Sequence, residues 1–393
     1  MIDIQSLLIR VLMDPAFFCP FLVTQPKKCL QVWLSGRTVD YGSSPVIQKT
    51  GNGKEVTSMD SEAYKCGKMA SLASSPYLLT VLFVHTIFSL VSLPLLLLSI
   101  RYIHRMNLIH HSTRHIVILN LLALMVHSVT RIAMHGTDLV NYLTPHISAC
   151  EILPSYTRCH IMRVPFNISM YLACLSTITI ALERLVSTFT SKDYENNRSV
   201  GYMLLAFQAM LTFFLFGMLF PRTRDPTRIL YYCQTTAKNN TSLTIISISS
   251  LIVLQILAVI ILKYLKLVNQ KQSMKQKMNP ELRQRYNVNE NLRTITIVMP
   301  FCCTSCVFTS IFLAIVIILL FFSRLIPMDI YYALTDGSLL LPPYAVLLPF
   351  ILRRMSRYVT QESQNSFHNH LSQTNSRRAG QFYFDSLAWA WKK

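Results

Sequence analysis

Seven apolar stretches, at 77–100, 115–136, 164–185, 200–220, 243–265, 294–322 and 330–352, follow one another with short polar connections. A bilayer core takes roughly 20 apolar residues per helix. With no water there to satisfy backbone groups, such segments have to be helices. The pattern predicts an all-α membrane protein, a bundle of seven transmembrane helices. Hydrophobic residues make up 52% and charged residues 14% of the chain, too apolar for 393 residues folded in water. The formal charge of +19 does not point to nucleic acid. Lys and Arg are divided among the loops, and no basic soluble domain interleaved with aromatics is present to bind it. Membrane topology and an anionic leaflet explain the basic residues better.

Orientation follows from the same residues. With the N-terminus outside and the C-terminus inside, the loops 101–114, 184–199 and 263–293 and the start of the tail carry 17 Lys or Arg, against 9 on the other side. Basic residues collect on the cytoplasmic side, so this orientation is expected. The loop 221–242, with four basic residues, argues the other way. Two overlapping sequons there, at Asn239 and Asn240, suit an outer, glycosylated loop. The chain divides into an N-terminal extension (1–76), a seven-transmembrane core (77–352) and a cytoplasmic tail (353–393). Residues 35–62 are polar and rich in Gly, Ser and Thr, so the extension reads as largely disordered. A second start at Met59 suggests that residues 1–58 are foreign to the native protein.

Three cysteines, Cys150, Cys159 and Cys233, fall in outer segments, an oxidising setting where disulfides persist. Cys159 precedes Arg184 by 25 residues, roughly 37 Å of helix, so the two mark opposite ends of the third span. A Cys159–Cys233 bridge would pin the second outer loop across the bundle mouth; Cys150–Cys233 is the alternative. Cys302 and Cys306 share a helix face, but no His or carboxylate lies near in sequence to complete a metal site. Packing is the better reading, and neither metal nor cofactor is expected.

At the inner end of the third span stand Glu183 and Arg184, an acid beside an arginine that can change partners when the bundle opens. Asn279-Pro280-Glu281 is a helix-start signature, so a helix could run from there into the sixth span. It would carry Arg283, Arg285 and Arg293 on a basic cytosolic arm, with a break conceivable at Asn287–Asn289. Pro300, inside that span, is expected to kink it. These features suit a helix that swings outward to admit a partner. Arg131 in the second span and Asp336 in the seventh are intramembrane charges that need partners. They are read as an ion pair, with direct ligand contact as the alternative. Pro342, Pro343 and Pro349 imply an irregular seventh helix. The following RRMSRY reads as a short amphipathic segment along the inner leaflet.

Several stretches resemble a known family. They are YKCGKMASLASS, HRMNLIHHSTRHIVILN, HSVTRIAMHGTDLVNYL, CEILPSYTRCHIMRVPF, ALERLVSTFTSKDYENN, LRQRYNVNENLRTITIVMP and LPPYAVLLPFILRR. In order and spacing from about Ser71 to Phe350, they resemble the nematode serpentine chemoreceptors of class alpha/beta. Residues 1–58 and the tail FYFDSLAWAWKK lie outside the likeness. The resemblance implies a rhodopsin-like G-protein-coupled receptor of chemosensory neurons, in plasma or ciliary membrane, and not an enzyme. Its partners would be the lipid bilayer, a small environmental or pheromone-like ligand in the outer half of the bundle, and a heterotrimeric G protein. A ligand-gated seven-span cation channel like insect odorant receptors is the competing class, and its N-terminus would lie inside.

Overall fold

In the computed structural model the described residues run from 58 to 373, apart from short stretches at 107–108, 145–151, 153–155, 191–198, 220–231, 234–240, 277–281 and 324. They fold into helices α1 (Ser58–Ala73), α2 (Pro76–Arg105), α3 (His111–Leu143), α4 (Tyr156–Phe189), α5 (Ser199–Leu219), α6 (Thr241–Gln276), α7 (Leu282–Phe322), α8 (Met328–Gly337) and α9 (Leu341–Gln373). Seven spans are long and apolar enough to cross a membrane, the last formed by α8 and α9 together. The all-α seven-helix reading therefore stands. The helices extend past the apolar stretches at both ends, because polar residues such as His111 and Lys275 continue a helical turn beyond a bilayer core.

Leucine, phenylalanine and methionine point outward as well as inward. Phe83, Leu98, Met203, Met210, Phe213 and Ile260 are all more than half exposed, an arrangement suited to contact with lipid tails and costly in water. Helix α4 is the central post. Of its apolar stretch 67% is buried, against 17% for α5 and 28% for α6. Three neighbours donate to carbonyls on a single turn of α4. Asn120 of α3 reaches Ala173 at 3.2 Å, Gln208 of α5 reaches Leu172 at 3.0 Å, and Gln255 of α6 reaches Cys174 at 2.8 Å. In lipid these side-chain amides have few other partners, so each one fixes a helix against the post.

Three expectations about local structure need correction. Residues 58–73, assigned to a disordered extension, form α1, and its Met69 and Leu72 pack with Leu78, Leu82, Tyr232 and Ala333. Helix α7 runs through Asn287–Asn289 without the break allowed for there, and Pro300 lies inside it as expected of the sixth span. Burial of Val288, Asn291 and Thr294 on one face outweighs their modest helix propensity. After Leu352 the chain does not turn along a leaflet. RRMSRY lies within α9, which contains no Gly or Pro after Pro349 to end it. Ser356 is buried there, accepting from Tyr102 of α2 at 2.8 Å.

The expected irregularity of the seventh span is a gap at Ser338–Leu340 between α8 and α9. Pro342 and Pro343 have no N–H to donate to the carbonyls four residues back, so α8 cannot continue through them. They sit instead in the first turn of α9, where no donor is needed. Ser338 N–H closes α8 on Leu334 at 2.8 Å.

Gly201 permits one close approach. A Cβ there would lie 2.7 Å from Ser112 Oγ and 2.9 Å from Ser112 Cβ, whereas one at Gly217 would meet nothing within 4 Å. Gly201→Ala should therefore separate the starts of α5 and α3 and destabilise the receptor by about 1–3 kcal/mol. Gly217→Ala should instead stabilise it by about 0.5–1 kcal/mol through helix propensity. Thermal unfolding of the purified protein in lipid nanodiscs should show midpoints moving in opposite directions.

Candidate functional site

The bundle has two polar centres, one at each end. At one end, Glu183 and Arg184 of α4 are buried at 0% and 1% exposure. Arg184 Nε donates to Glu183 Oε2 at 2.5 Å, and Nη2 donates to Glu183 Oε1. Neighbours on one helix do not share a face, so the arginine has folded back to grip the preceding carboxylate. Its third nitrogen, Nη1, donates across the bundle to Asn291 Oδ1 of α7 at 2.8 Å.

Asn291 extends the network. Its Nδ2 donates to Thr188 Oγ1 at 2.8 Å and to Asn269 Oδ1 of α6 at 3.1 Å. Asn269 Nδ2 donates in turn to Thr188 at 3.1 Å and to Leu265 O at 2.8 Å. From α3, Thr113 Oγ1 donates to Glu183 Oε2 at 2.7 Å. One buried ion pair thus ties together the second, third, fifth and sixth spans. A cleft of about 30 Å³, lined in part by His110, Arg184, Gln272 and Asn287, opens beside it and is large enough for about two waters.

The sequence reading has Arg184 face a cytosolic protein only once the bundle opens, and here the arginine lies inward against Glu183 and Asn291. Arg184 points inward because Glu183 and Asn291 supply charge and a hydrogen bond that solvent would otherwise provide. Asn269, Asn291, Thr113 and Thr188 were missed. The legible signal was an asparagine on each of two helices just where apolar span gives way to basic arm. Arg283 and Arg285 lie in the first turn of α7, and Arg293 is half-buried two residues past Asn291. The sequons Asn239 and Asn240 lie outside the described residues.

At the opposite end Cys159 of α4 is joined to Cys233 in a disulfide, with Cα atoms 5.2 Å apart and 74 residues between them. Cys150 is therefore not the partner of Cys233. The bond fixes Tyr232, whose hydroxyl donates to Asp336 Oδ2 on α8 and whose ring lies 5.2 Å from that of Tyr332. The segment between α5 and α6 is thus tied at once to the third and the seventh span.

Arg131 and Asp336 are both buried near this end, but they are not a salt bridge. Arg131 Nη1 donates to His85 Nδ1 of α2, and its Cζ lies 5.3 Å from the centre of the Phe166 ring. Asp336 is engaged by Tyr232. The direct pair fails because each charge found a nearer neighbour on a chain segment that helix depth alone does not locate. A different pair does form here: Arg158 of α4 and Asp138 of α3, at 2.9 Å.

A helical bundle of seven spans, with a disulfide at one end of the third and a buried carboxylate–arginine lock at the other, defines a seven-transmembrane receptor class. The sequence profile of the serpentine-type seven-transmembrane GPCR receptor class ab chemoreceptors matches residues 63–392, and the chain belongs to that family. The family is a receptor class and not an enzyme. The match includes most of the tail that seemed unlike the family, and it begins inside α1.

Among curated relatives, the chain is similar to serpentine receptor class alpha/beta-14 of Caenorhabditis elegans. The two are 25% identical over 158 residues, 39% of this chain and 40% of that protein. Serpentine receptor class alpha-17 of the same organism is 26% identical over 155 residues, 38% of this chain and 46% of that one. For serpentine receptor class alpha-22 the figures are 27% over 163 residues, 40% and 48%. The matched stretches span less than half the length of each of these relatives.

The tether at the disulfide end is testable. Cys159→Ser, Cys233→Ser and the double variant should lose surface delivery to about the same degree, since one bond is lost in each. Tyr232→Phe should cost about 1.5–3 kcal/mol, the range for a hydrogen bond to a charged group. That loss should shrink in a Cys233→Ser background, because the disulfide is what holds Tyr232 in reach. Additive losses in the double-mutant cycle would refute the coupling.

Proposed function

We propose that this chain is a chemosensory G-protein-coupled receptor of the plasma membrane, including the sensory cilium. It binds a small environmental or pheromone-like ligand near the disulfide end and activates a heterotrimeric G protein at the Glu183–Arg184 end. The disulfide end is taken as extracellular, on the grounds of an oxidising compartment and of 17 basic residues against 9 on the other side. In that orientation the tail from 353 onward is cytoplasmic and the sequons at Asn239 and Asn240 face the glycosylation machinery. Family membership supports the receptor class.

One observation carries the mechanism. Arg184 links the third span to the sixth through Asn291, and to the acid at its own side through Glu183. A buried pair of this kind holds one arrangement well and loses heavily if one member is left alone. Displacing α7 outward breaks the Asn291 bonds and turns Arg184 toward the cytosol. That movement opens a surface between α4, the 184–199 loop and the basic arm bearing Arg283, Arg285 and Arg293. The ligand acts by binding the opened state better than the closed one.

Three substitutions test the lock by nucleotide exchange at matched surface level. Asn291→Leu should raise basal exchange roughly tenfold, because losing a hydrogen bond to a charged group shifts the balance by about 1.5 kcal/mol. Glu183→Gln should also raise it, by freeing Arg184. Arg184→Ala should reach the membrane and fail to drive ligand-dependent exchange. Unchanged basal activity in the first two, together with normal signalling in the third, would remove the switch role.

A further inference from the structure

Among the described residues, the charged groups gathered around Arg131 and Arg163 carry more positive than negative charge. Five charged side chains meet there: Arg131 on α3, Arg158 and Arg163 on α4, Asp138 on α3 and Asp336 on α8. Arg158 and Asp138 pair with each other at 2.9 Å. Of the remaining three, two are cations and one is an anion, and Asp336 makes no salt bridge with either arginine among the described residues. Its Oδ2 accepts instead from Tyr232. Arg131 is 0% and Arg163 5% exposed, so solvent does not neutralise the excess.

The free donors have a definite shape. On both arginines the buried nitrogens without a hydrogen-bond partner are Nε and Nη2. These two form one edge of a guanidinium, with parallel N–H bonds spaced to meet the two oxygens of a carboxylate. Arg131 is fixed by its third nitrogen, which donates to His85 Nδ1. The cations flank one ring, with Arg131 Cζ 5.3 Å and Arg163 Cζ 5.0 Å from the centre of Phe166. His135 adjoins His85 with ring centres 6.3 Å apart, and both of its ring nitrogens are buried without a partner. Arg163 lies one turn along α4 from Cys159. Two guanidinium edges, an excess of one cation among the described residues and an imidazole with both nitrogens unpartnered make up half of an ion-recognition site.

We infer that the ligand of this receptor carries an anionic head, a carboxylate or similar oxyanion, gripped by Arg131 and Arg163 with its apolar body against Phe166 and the neighbouring aromatics. The assignment rests on the receptor reading only for the direction from which the ligand arrives. Arg131 is then a ligand contact, and Asp336 is a local acid that competes with the ligand for the same cations.

The experiment uses the full chain in lipid nanodiscs without G protein. The thermal midpoint is followed against hexanoate, its neutral analogue hexanamide, and hexyl sulfate. Hexanoate should raise the midpoint saturably and hexanamide should not. Arg131→Gln and Arg163→Gln should each weaken the response at least tenfold. Asp336→Asn gives the opposite sign: removing the competing acid should tighten hexanoate binding several-fold, whereas a merely structural carboxylate would not change the ligand response in that direction. A response to hexyl sulfate alone would still place an oxyanion here and assign it to sulfate esters. Equal responses to hexanoate and hexanamide, no response to either anion, or weaker anion binding in Asp336→Asn would overturn the inference. These readings hold even where the arginine variants fail to fold. Anion binding without nucleotide exchange in a reconstituted system would count against G-protein coupling alone. Robust exchange driven only by neutral compounds would count against the anion site alone.

Discussion

Polar side chains within a bilayer have no water to turn to, and helix α4 is where this chain provides the alternative. Backbone carbonyls in a helix keep a second lone pair, and three on one turn of α4, at Leu172, Ala173 and Cys174, accept from Gln208, Asn120 and Gln255. Each donor belongs to a different helix. A single turn of the third span thus sets the positions of α5, α3 and α6, and these helices then place everything at the two ends. Apolar packing alone would not do this, because lipid tails compete with leucine for leucine.

The two polar centres that α4 carries differ in how fully they are satisfied. Around Glu183, each carboxylate oxygen and each guanidinium nitrogen of Arg184 has a partner within the bundle. A completed network of this kind fixes one arrangement and resists others. Around Arg131 and Arg163, two guanidinium edges lack acceptors, and the charges of the described residues do not balance. Burial without compensation is costly in a membrane, and such sites are kept where function requires them. The contrast separates a centre that holds a state from one suited to receive a ligand.

The sequence made the seven spans legible because hydrophobic length in a bilayer has one structural solution. Cys159 and Cys233 could be paired from their positions at the loop ends, although Cys150 competed until the geometry decided. The Glu183–Arg184 pair was legible as a motif, while its partner on the sixth span was not. Asn291 lies 107 residues further on, and nothing local to either residue connects them. Arg131 and Asp336 were rightly singled out as charges needing partners. Depth along two helices gave no account of the rotation that turns Arg131 toward His85, nor of a disulfide that brings Tyr232 to Asp336. Tail and extension were misjudged for a simpler reason. Polar composition removed them from the apolar pattern, yet α1 packs through Met69 and Leu72, and α9 continues because nothing stops it.

A ligand between Arg131 and Arg163 would sit far from the lock it must release. Arg163 and Arg184 are separated by 21 positions of α4, about 30 Å of helix. Rigid helices do carry residues of both centres: Thr113 and Arg131 on α3, Arg163 and Glu183 on α4. Neutralising a cation between them would alter how strongly α3 and α4 repel at one end, and a change in their relative tilt would reach the other end at the Thr113–Glu183 hydrogen bond. The seventh span offers a second route, since the gap at Ser338–Leu340 lets α8 follow Asp336 without moving α9 as one piece. Coupling of either kind has a limit set by the ligand's preference between states, however tightly it binds. An anion that merely completed the resting cluster would stabilise the closed bundle and act as an inverse agonist. For activation, both guanidinium edges must close on the oxyanion more tightly in the opened bundle than in the closed one.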